Sequence, residues 1–461
     1  MKSTIALFSL ILGYAVLSQG GIPLYEWQFC LLGLGLLAVS YYALTPSAYL
    51  SGLSRWLFWP LLILPCYALL QFIPIPFSIL EIVSPARAEQ IAALDGTVAS
   101  VGVAPLSLMP PATFAHIFRI IGYVIIFLIA QAFTFQCRKQ NRMWVPVIPI
   151  LTVAALEASI GLLRFYLDVD LTAGARGTYA NRNHFAGLLE MALPFALMYA
   201  VVLYRRRYKE KRQLSKNDSA VGILLVVAIL LFTGIVCSYS RTGFIATLCS
   251  LSLIGILYFA GRLPVRKRWH TWGLILVLMF LAFVYLPPDP FFRRLVEASS
   301  YDYGTLNGRL IIWSQIPELM RNYMLLGCGL GAFESAFLPV KDIFPGAIIT
   351  YAHNDYFQAL VELGILGFGI LFVLMAGLSR LAIRGIRNHG EARILSIACI
   401  GALAAIFIHS IVDNNLYVPA NAMVFAWTAG IIAGSNTDQN RQWRLAGFKI
   451  RRPSRDLPTH Q

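Results

Sequence analysis

Charge is what this sequence has least of. Only 13% of its 461 residues are Asp, Glu, Lys or Arg, against 58% that are apolar. A soluble globule of this length needs far more polar surface to meet water, so a soluble fold is excluded. The mean hydropathy of +0.68 agrees. Acidic residues are the scarcer sign, 22 against 37 Lys and Arg, which gives a formal charge of +15. That excess does not point to nucleic acid, because the basic residues are dispersed in blocks along the chain: Arg138–Arg142, Arg205–Lys216, Arg262–Arg268, Arg380–Arg393 and Arg441–Arg455. Every second loop carries one, as cytoplasmic loops of membrane proteins do, and a solvated rim facing lipid headgroups accounts for them. Cysteine is also scarce. The count of seven is odd, and Cys30, Cys66, Cys237, Cys249 and Cys399 fall inside apolar runs, where they act as small hydrophobes. Cys328 alone sits in an outward loop, so no disulfide framework is implied. No CxxC or HExxH spacing occurs, and no metal or other cofactor is expected.

What is present is a series of apolar runs, each near the roughly 20 residues that carry a helix across hydrocarbon. The spans are 4–18, 27–45, 55–74, 113–134, 144–165, 183–203, 220–237, 243–260, 271–286, 356–378, 394–412 and 420–434. The opening stretch Thr4–Leu17 has one Lys before it and no small-x-small cleavage site, so it counts as the first span and not a removed signal. Placing Arg205–Lys216 in the cytoplasm puts every other basic block there too, with both termini. The expectation is an all-α integral membrane protein of about twelve transmembrane helices. It divides into N-terminal helices (1–74), a periplasmic loop (75–112), central helices (113–286), a large periplasmic loop between helices 9 and 10 (287–355), C-terminal helices (356–434) and a basic cytoplasmic tail (435–461). The large loop alternates aromatic and apolar residues, as in Leu310–Trp313 and Phe333–Phe337, which predicts short amphipathic helices lying on the membrane. Its run Gly327–Gly331 follows no strand and reads as a turn, not a phosphate cradle.

Away from the cytoplasm Lys and Arg are few. Arg176 precedes one span in Ala175–His184, Arg241 lies in the near-loopless Ser238–Gly243, and His353 opens another span in Ala352–Tyr356. The alternating topology puts these two guanidiniums and the imidazole at one depth, near the outer boundary. Two arginine forks can hold a pyrophosphate and stabilise its charge as it leaves. A histidine can take the proton of an attacking hydroxyl, with Asp355 or Glu362 to orient it. The plain alternative is that the arginines snorkel to headgroups and His353 caps a helix. Singly, each residue fits that alternative; the three together favour a site. Arg119 and Glu157 fall within spans, where a mutual bridge and a functional role are both open. Glu190 has no evident partner. His409 and Asp413, one turn apart, either join the site or serve structure, with structure favoured.

These segments resemble the O-antigen ligase and O-antigen polymerase superfamily of bacterial envelope glycosyltransferases. The resemblance runs over residues 75 to 415 or so, through Pro105-Leu106-Ser107, Arg176-Gly177-Thr178, Asn181–Gly187, Ser240–Gly243, Asn307-Gly308-Arg309 with Trp313, Gly327-Cys328-Gly329, His353–Tyr356 and Glu362-Leu363-Gly364. Each fragment is weakly specific; their order and placement carry the likeness. It implies a C-type glycosyltransferase-like fold and a periplasmic active site. It also implies metal-independent, inverting transfer of a glycan from undecaprenyl pyrophosphate to an acceptor hydroxyl. His353, Arg241 and Arg176 are the catalytic residues it implies. Arg309, Asn354, Asp355, Arg182 and Asn183 are its substrate-binding set. Whether His353 is a general base or positions the acceptor is left open. The partners are the lipid-linked donor, membrane lipids, and a lipid A core or a growing polysaccharide as acceptor, with ligase favoured over polymerase and protein glycosylation third. The location implied is the bacterial inner membrane. The rival class is a two-halved transporter. Against it, the halves show no similarity, and the charged residues gather at one face instead of the midplane.

Overall fold

Uncharged runs of Leu, Ile, Val and Phe can satisfy their backbone in hydrocarbon only as helices or closed barrels. The computed structural model describes residues 2–44, 53–93, 102–167, 174–210, 216–259, 306–341 and 348–436, and it is nearly all helical. In chain order the α-helices are α1 Lys2–Leu17, α2 Leu24–Leu44, α3 Arg55–Phe72, α4 Phe77–Val83, α5 Pro85–Ala92, α6 Pro110–Lys139, α7 Ile148–Leu167, α8 Arg182–Glu210, α9 Lys216–Cys237, α10 Arg241–Phe259, α11 Leu306–Ser314, α12 Ile316–Tyr323, α13 Phe333–Phe337, α14 Asp355–Ile386, α15 Gly390–His409 and α16 Pro419–Ser435. Among the described residues nine helices are long and apolar enough to cross a membrane: α2, α3, α6 to α10, α14 and α15. The chain is thus a multi-pass membrane protein. Helices also occupy the shorter first and last expected spans, as α1 and α16. The span expected at 271–286, the block Arg262–Arg268 and the basic tail lie outside the described residues.

Helix α16 is the axis of the bundle, with nearly all of its residues buried. Its glycines let α6 approach to backbone contact: a Cβ added at Gly430 would lie 2.5 Å from the Ala130 methyl. Phe8 of α1 stacks on Trp427 of α16 at 3.8 Å, and the Trp427 indole N–H donates to the Pro146 carbonyl at 2.7 Å. Helices α8, α9, α10 and α15 complete the wall on the other side. At one end of the bundle Arg206 of α8 grips Glu391 of α15 through two hydrogen bonds of 2.6 Å.

The opposite end carries the extramembrane elements. Two short strands, β1 Pro74–Pro76 and β2 Val103–Pro105, pair antiparallel, with Pro74 opposite Pro105, and enclose α4 and α5. The helices expected in the large loop are present as α11 to α13. They pack on the protein itself: Ile312, Ile316, Leu319, Phe333 and Phe337 form one buried cluster with Ala352 and Val361.

A break in α14 anchors this end. Gly364 has φ 64 and ψ −177, a conformation that essentially only glycine adopts. The turn Gly327–Gly331 fills the break: the Cys328 N–H donates to the Val361 carbonyl at 3.0 Å and the Gly329 N–H to Glu362 at 3.1 Å. Tyr67 and Gln71 of α3 lock the same carbonyl row from the other side. A Cβ on Gly364 would meet the Leu325 carbonyl oxygen at 2.5 Å. Gly364→Ala is expected to lower stability by about 2 kcal/mol or more, from strain and overlap together. Its thermal midpoint against that of Gly369→Ala, where a Cβ has open space, measures this.

Candidate functional site

Three helices begin at this end, and each is capped by the residue before it. Asn181 Oδ1 accepts the Asn183 N–H at 2.8 Å to start α8. Ser240 Oγ accepts the Gly243 N–H at 3.2 Å to start α10. Asn354 Oδ1 accepts the Tyr356 and Phe357 N–H groups at 2.9 and 3.0 Å to start α14. Capping satisfies amides that the first turn leaves unbonded and stops the helix there. Each start turns its partial positive charge toward the same region. The segment between α15 and α16 ties them together. Asn354 Nδ2 donates to the Ile411 carbonyl at 2.8 Å, the Asp355 N–H to the Ser410 carbonyl at 3.0 Å, and the Ser410 hydroxyl to Asp355 Oδ2 at 2.6 Å. Gly243 of α10 faces the His409 ring, whose Cε1 a Cβ there would approach to 3.3 Å.

Asp413, fully buried, is the hub. Its Oδ2 accepts from Asn183 Nδ2 at 2.6 Å and lies 3.5 Å from the Arg309 guanidinium, which also donates to the Val412 carbonyl. Its Oδ1 lies 3.4 Å from His353 Nδ1 and 3.9 Å from His184 Nε2. Burial alone would raise the Asp413 carboxyl. Arg309, the hydrogen bond from His353 and the nearby His184 overcome it and hold the carboxyl well below the ordinary carboxylate range. With Nδ1 directed at Asp413, the Nε2 of His353 has no partner among the described residues. His353 itself sits at φ 50, a left-handed position in which the chain turns sharply into α14. The Trp313 indole donates to the neighbouring Ala352 carbonyl at 2.8 Å, and the Ala352 N–H donates to Gln358 at 2.6 Å, so the bend is pinned from both sides.

Arg241, half-buried at the start of α10, feels the charge of Arg309. It has no hydrogen-bond partner among the described residues. Among the described residues, two guanidiniums near each other share one carboxylate that is bound to only one of them, an arrangement that suits an anion. Arg176 is exposed on a loop zipped to the turn before Arg241, where the Ala175 N–H donates to the Cys237 carbonyl at 2.7 Å. That loop is held from α7 by Glu157, which accepts from the Thr178 N–H at 2.6 Å.

The structure therefore brings Arg241, Arg309, His353 and Asn183 around Asp413, with Arg176 and Arg182 on the adjoining segments. Asn354 is spent on capping. Asp355 bridges to Ser410 and to the Leu416 N–H at 3.0 Å. Three expectations are corrected. The carboxylate that orients His353 is Asp413 and not Asp355 or Glu362; Glu362 instead accepts from Gly331, Gln358 and Tyr417. Glu157 serves Thr178 and does not bridge Arg119. Glu190 has a partner, His409 Nδ1 at 3.0 Å, both side chains fully buried. The available signal for Asp413 was an acid with Asn414 and Asn415 closing an apolar helix, a charge too costly to bury unpaired.

Residues 226–372 match the family model for O-antigen ligase. Over that segment, about a third of its length, the chain is similar to the O-antigen ligase family. The matched segment holds Arg241, Arg309 and His353, and the match supports a glycosyltransferase-like activity on lipid-linked glycans in general. Arg176, Asn183, His409 and Asp413 lie outside it and reach the site only through the fold. No curated protein matches the chain.

Proposed function

We propose that this protein transfers a glycan from undecaprenyl pyrophosphate to an acceptor hydroxyl at the periplasmic face of the bacterial inner membrane, as an O-antigen ligase does to the lipid A core. The observation that carries this reading is the pairing of His353 Nδ1 with Asp413 beside an uncommitted Arg241. An imidazole so oriented presents Nε2 as a base. The acceptor oxygen attacks the anomeric carbon as its proton passes to Nε2, and Asp413 stabilises the imidazolium that forms. The bond from the anomeric carbon to the pyrophosphate oxygen breaks, and its electron pair leaves with the lipid pyrophosphate. Arg241, Arg309 and the exposed Arg176 meet that growing charge, so no group other than the chain's own side chains is called on. Direct displacement inverts the anomeric centre.

Deletion of the gene in its host, complemented with wild type, His353→Ala or Arg241→Ala, tests this on envelope polysaccharide gels. Uncapped lipid A core with polymer accumulating on the lipid carrier is expected, in the deletion and in both variants. Single repeat units in place of long chains would identify a polymerase. Full restoration by both variants would remove the site.

A further inference from the structure

Arg119 of α6 is the intramembrane charge that the site above leaves unused. It has no carboxylate partner among the described residues. Its one hydrogen bond runs from a terminal nitrogen to the Ile22 carbonyl at 3.4 Å, and its Nε is shielded from solvent with nothing to donate to. A guanidinium held this way near a membrane boundary is costly unless an anion comes to it. Its charge acts on His116, Tyr123 and Tyr351. His116 lies with its ring 6.0 Å from Tyr417, and Tyr417 lies 5.9 Å edge-on to Tyr351. The three rings form one wall that starts at His116, one turn before Arg119 on α6.

The wall adjoins the reacting histidine. Tyr351 precedes His353 by two residues, so their Cα atoms are at most about 7 Å apart. The carboxylates that act on Tyr351 are already engaged: Glu362 by Gly331, Gln358 and Tyr417, and Glu334 by Thr350 at 3.1 Å. The Tyr351 hydroxyl has no partner among the described residues, and burial keeps it protonated and able to donate.

We propose that Arg119, with the Tyr351 hydroxyl and the Tyr351 and Tyr417 rings, forms a second anion subsite for a negatively charged sugar of the acceptor glycan, its carboxylate or phosphate on Arg119 and its ring face on the tyrosines. The subsite rests on the transferase reading for its place in the reaction, since Arg241 and Arg309 take the donor pyrophosphate and leave Arg119 to the other substrate. Arginine suits the role because its planar fork matches either anion.

The test is binding of two probes, glucuronic acid and glucose, to the full-length protein in nanodiscs of neutral phosphatidylcholine, followed by saturation-transfer NMR. Glucuronic acid is expected to half-saturate at about fivefold lower concentration than glucose, the gain of one partly solvated charge-assisted contact. Arg119→Gln should erase that preference, Arg119→Lys should retain part of it, and Tyr351→Phe should weaken it. Arg241→Gln should leave it in place. Equal binding of the two sugars overturns the proposal, as does a preference that survives Arg119→Gln or disappears in Arg241→Gln. Loss of the preference when phosphatidylglycerol is added would make a lipid headgroup the ligand and also overturn it. The transferase reading fails separately: His353→Ala and Arg241→Ala both restoring wild-type polysaccharide would remove it while the Arg119 preference stood.

Discussion

Asp413→Asn is expected to slow glycan transfer by about 100-fold or more, with His353→Ala at least as severe. Asparagine keeps the shape of the carboxylate but removes the charge that fixes His353 Nδ1–H and stabilises the imidazolium. It also leaves Arg309, itself buried, facing a neutral amide. The loss should fall on kcat more than on KM for the acceptor, because the interaction strengthens only as the proton moves. The pH behaviour follows from the sign of the shift. The folded carboxyl lies well below its ordinary value, so its contribution is fully present above the unfolded value and lost only as pH falls through the folded one. Between about pH 6 and 9 the deficit in both transfer and thermal midpoint should therefore be constant. Transfer from purified lipid-linked donor across that range measures it. A wild-type rate in Asp413→Asn, or a deficit that closes toward the acid side, would show that Asp413 is not the orienting group.

Breaking the Glu190–His409 pair is expected to have the largest effect on stability. Both side chains are fully buried between α8 and α15, 3.0 Å apart. Removing either partner strands the other in hydrocarbon, at about 3 kcal/mol. Glu190→Ala and His409→Ala should each lower the thermal midpoint sharply. Glu190→Leu combined with His409→Leu should recover most of that loss, because an apolar pair of similar volume needs no partner. Gly243, in the first turn of α10, lies against the His409 ring, so the double variant should regain stability and still transfer more slowly, through a displaced Arg241. A double variant as unstable as the singles would mean that the pair does more than satisfy its own charges.

The helical class was legible because hydrocarbon imposes it. An uncharged run of about 20 residues has few structures open to it, and the chain repeats such runs from end to end. The starts of α8, α10 and α14 lie within two residues of the expected spans at 183, 243 and 356, but the structure shows the caps to be Asn181, Ser240 and Asn354, and the cap of α14 is not His353. The placement of Arg241 and His353 at those starts follows directly. Which acid faces His353 was not legible. Asp355 and Glu362 are close in sequence, but in a helix they point to Ser410 and to the Gly327–Gly331 turn, while Asp413 arrives from the segment between α15 and α16. The same holds for Glu190, whose partner lies more than two hundred residues away, and for Glu157, which goes to Thr178 and not to Arg119.

Sequence by itself determined that this is a multi-pass helical membrane protein, with its guanidiniums and imidazole gathered at helix starts near one face. Those features rest on hydropathy, capping and charge placement, each decided within one or two turns of chain. Only the tertiary structure decided that Asp413 joins Arg309 to His353, that His409 pairs with Glu190 and that Arg119 has no carboxylate partner among the described residues. The physical reason is that buried charges choose partners by proximity in space, and proximity is set by how helices far apart in sequence pack, which no local pattern records.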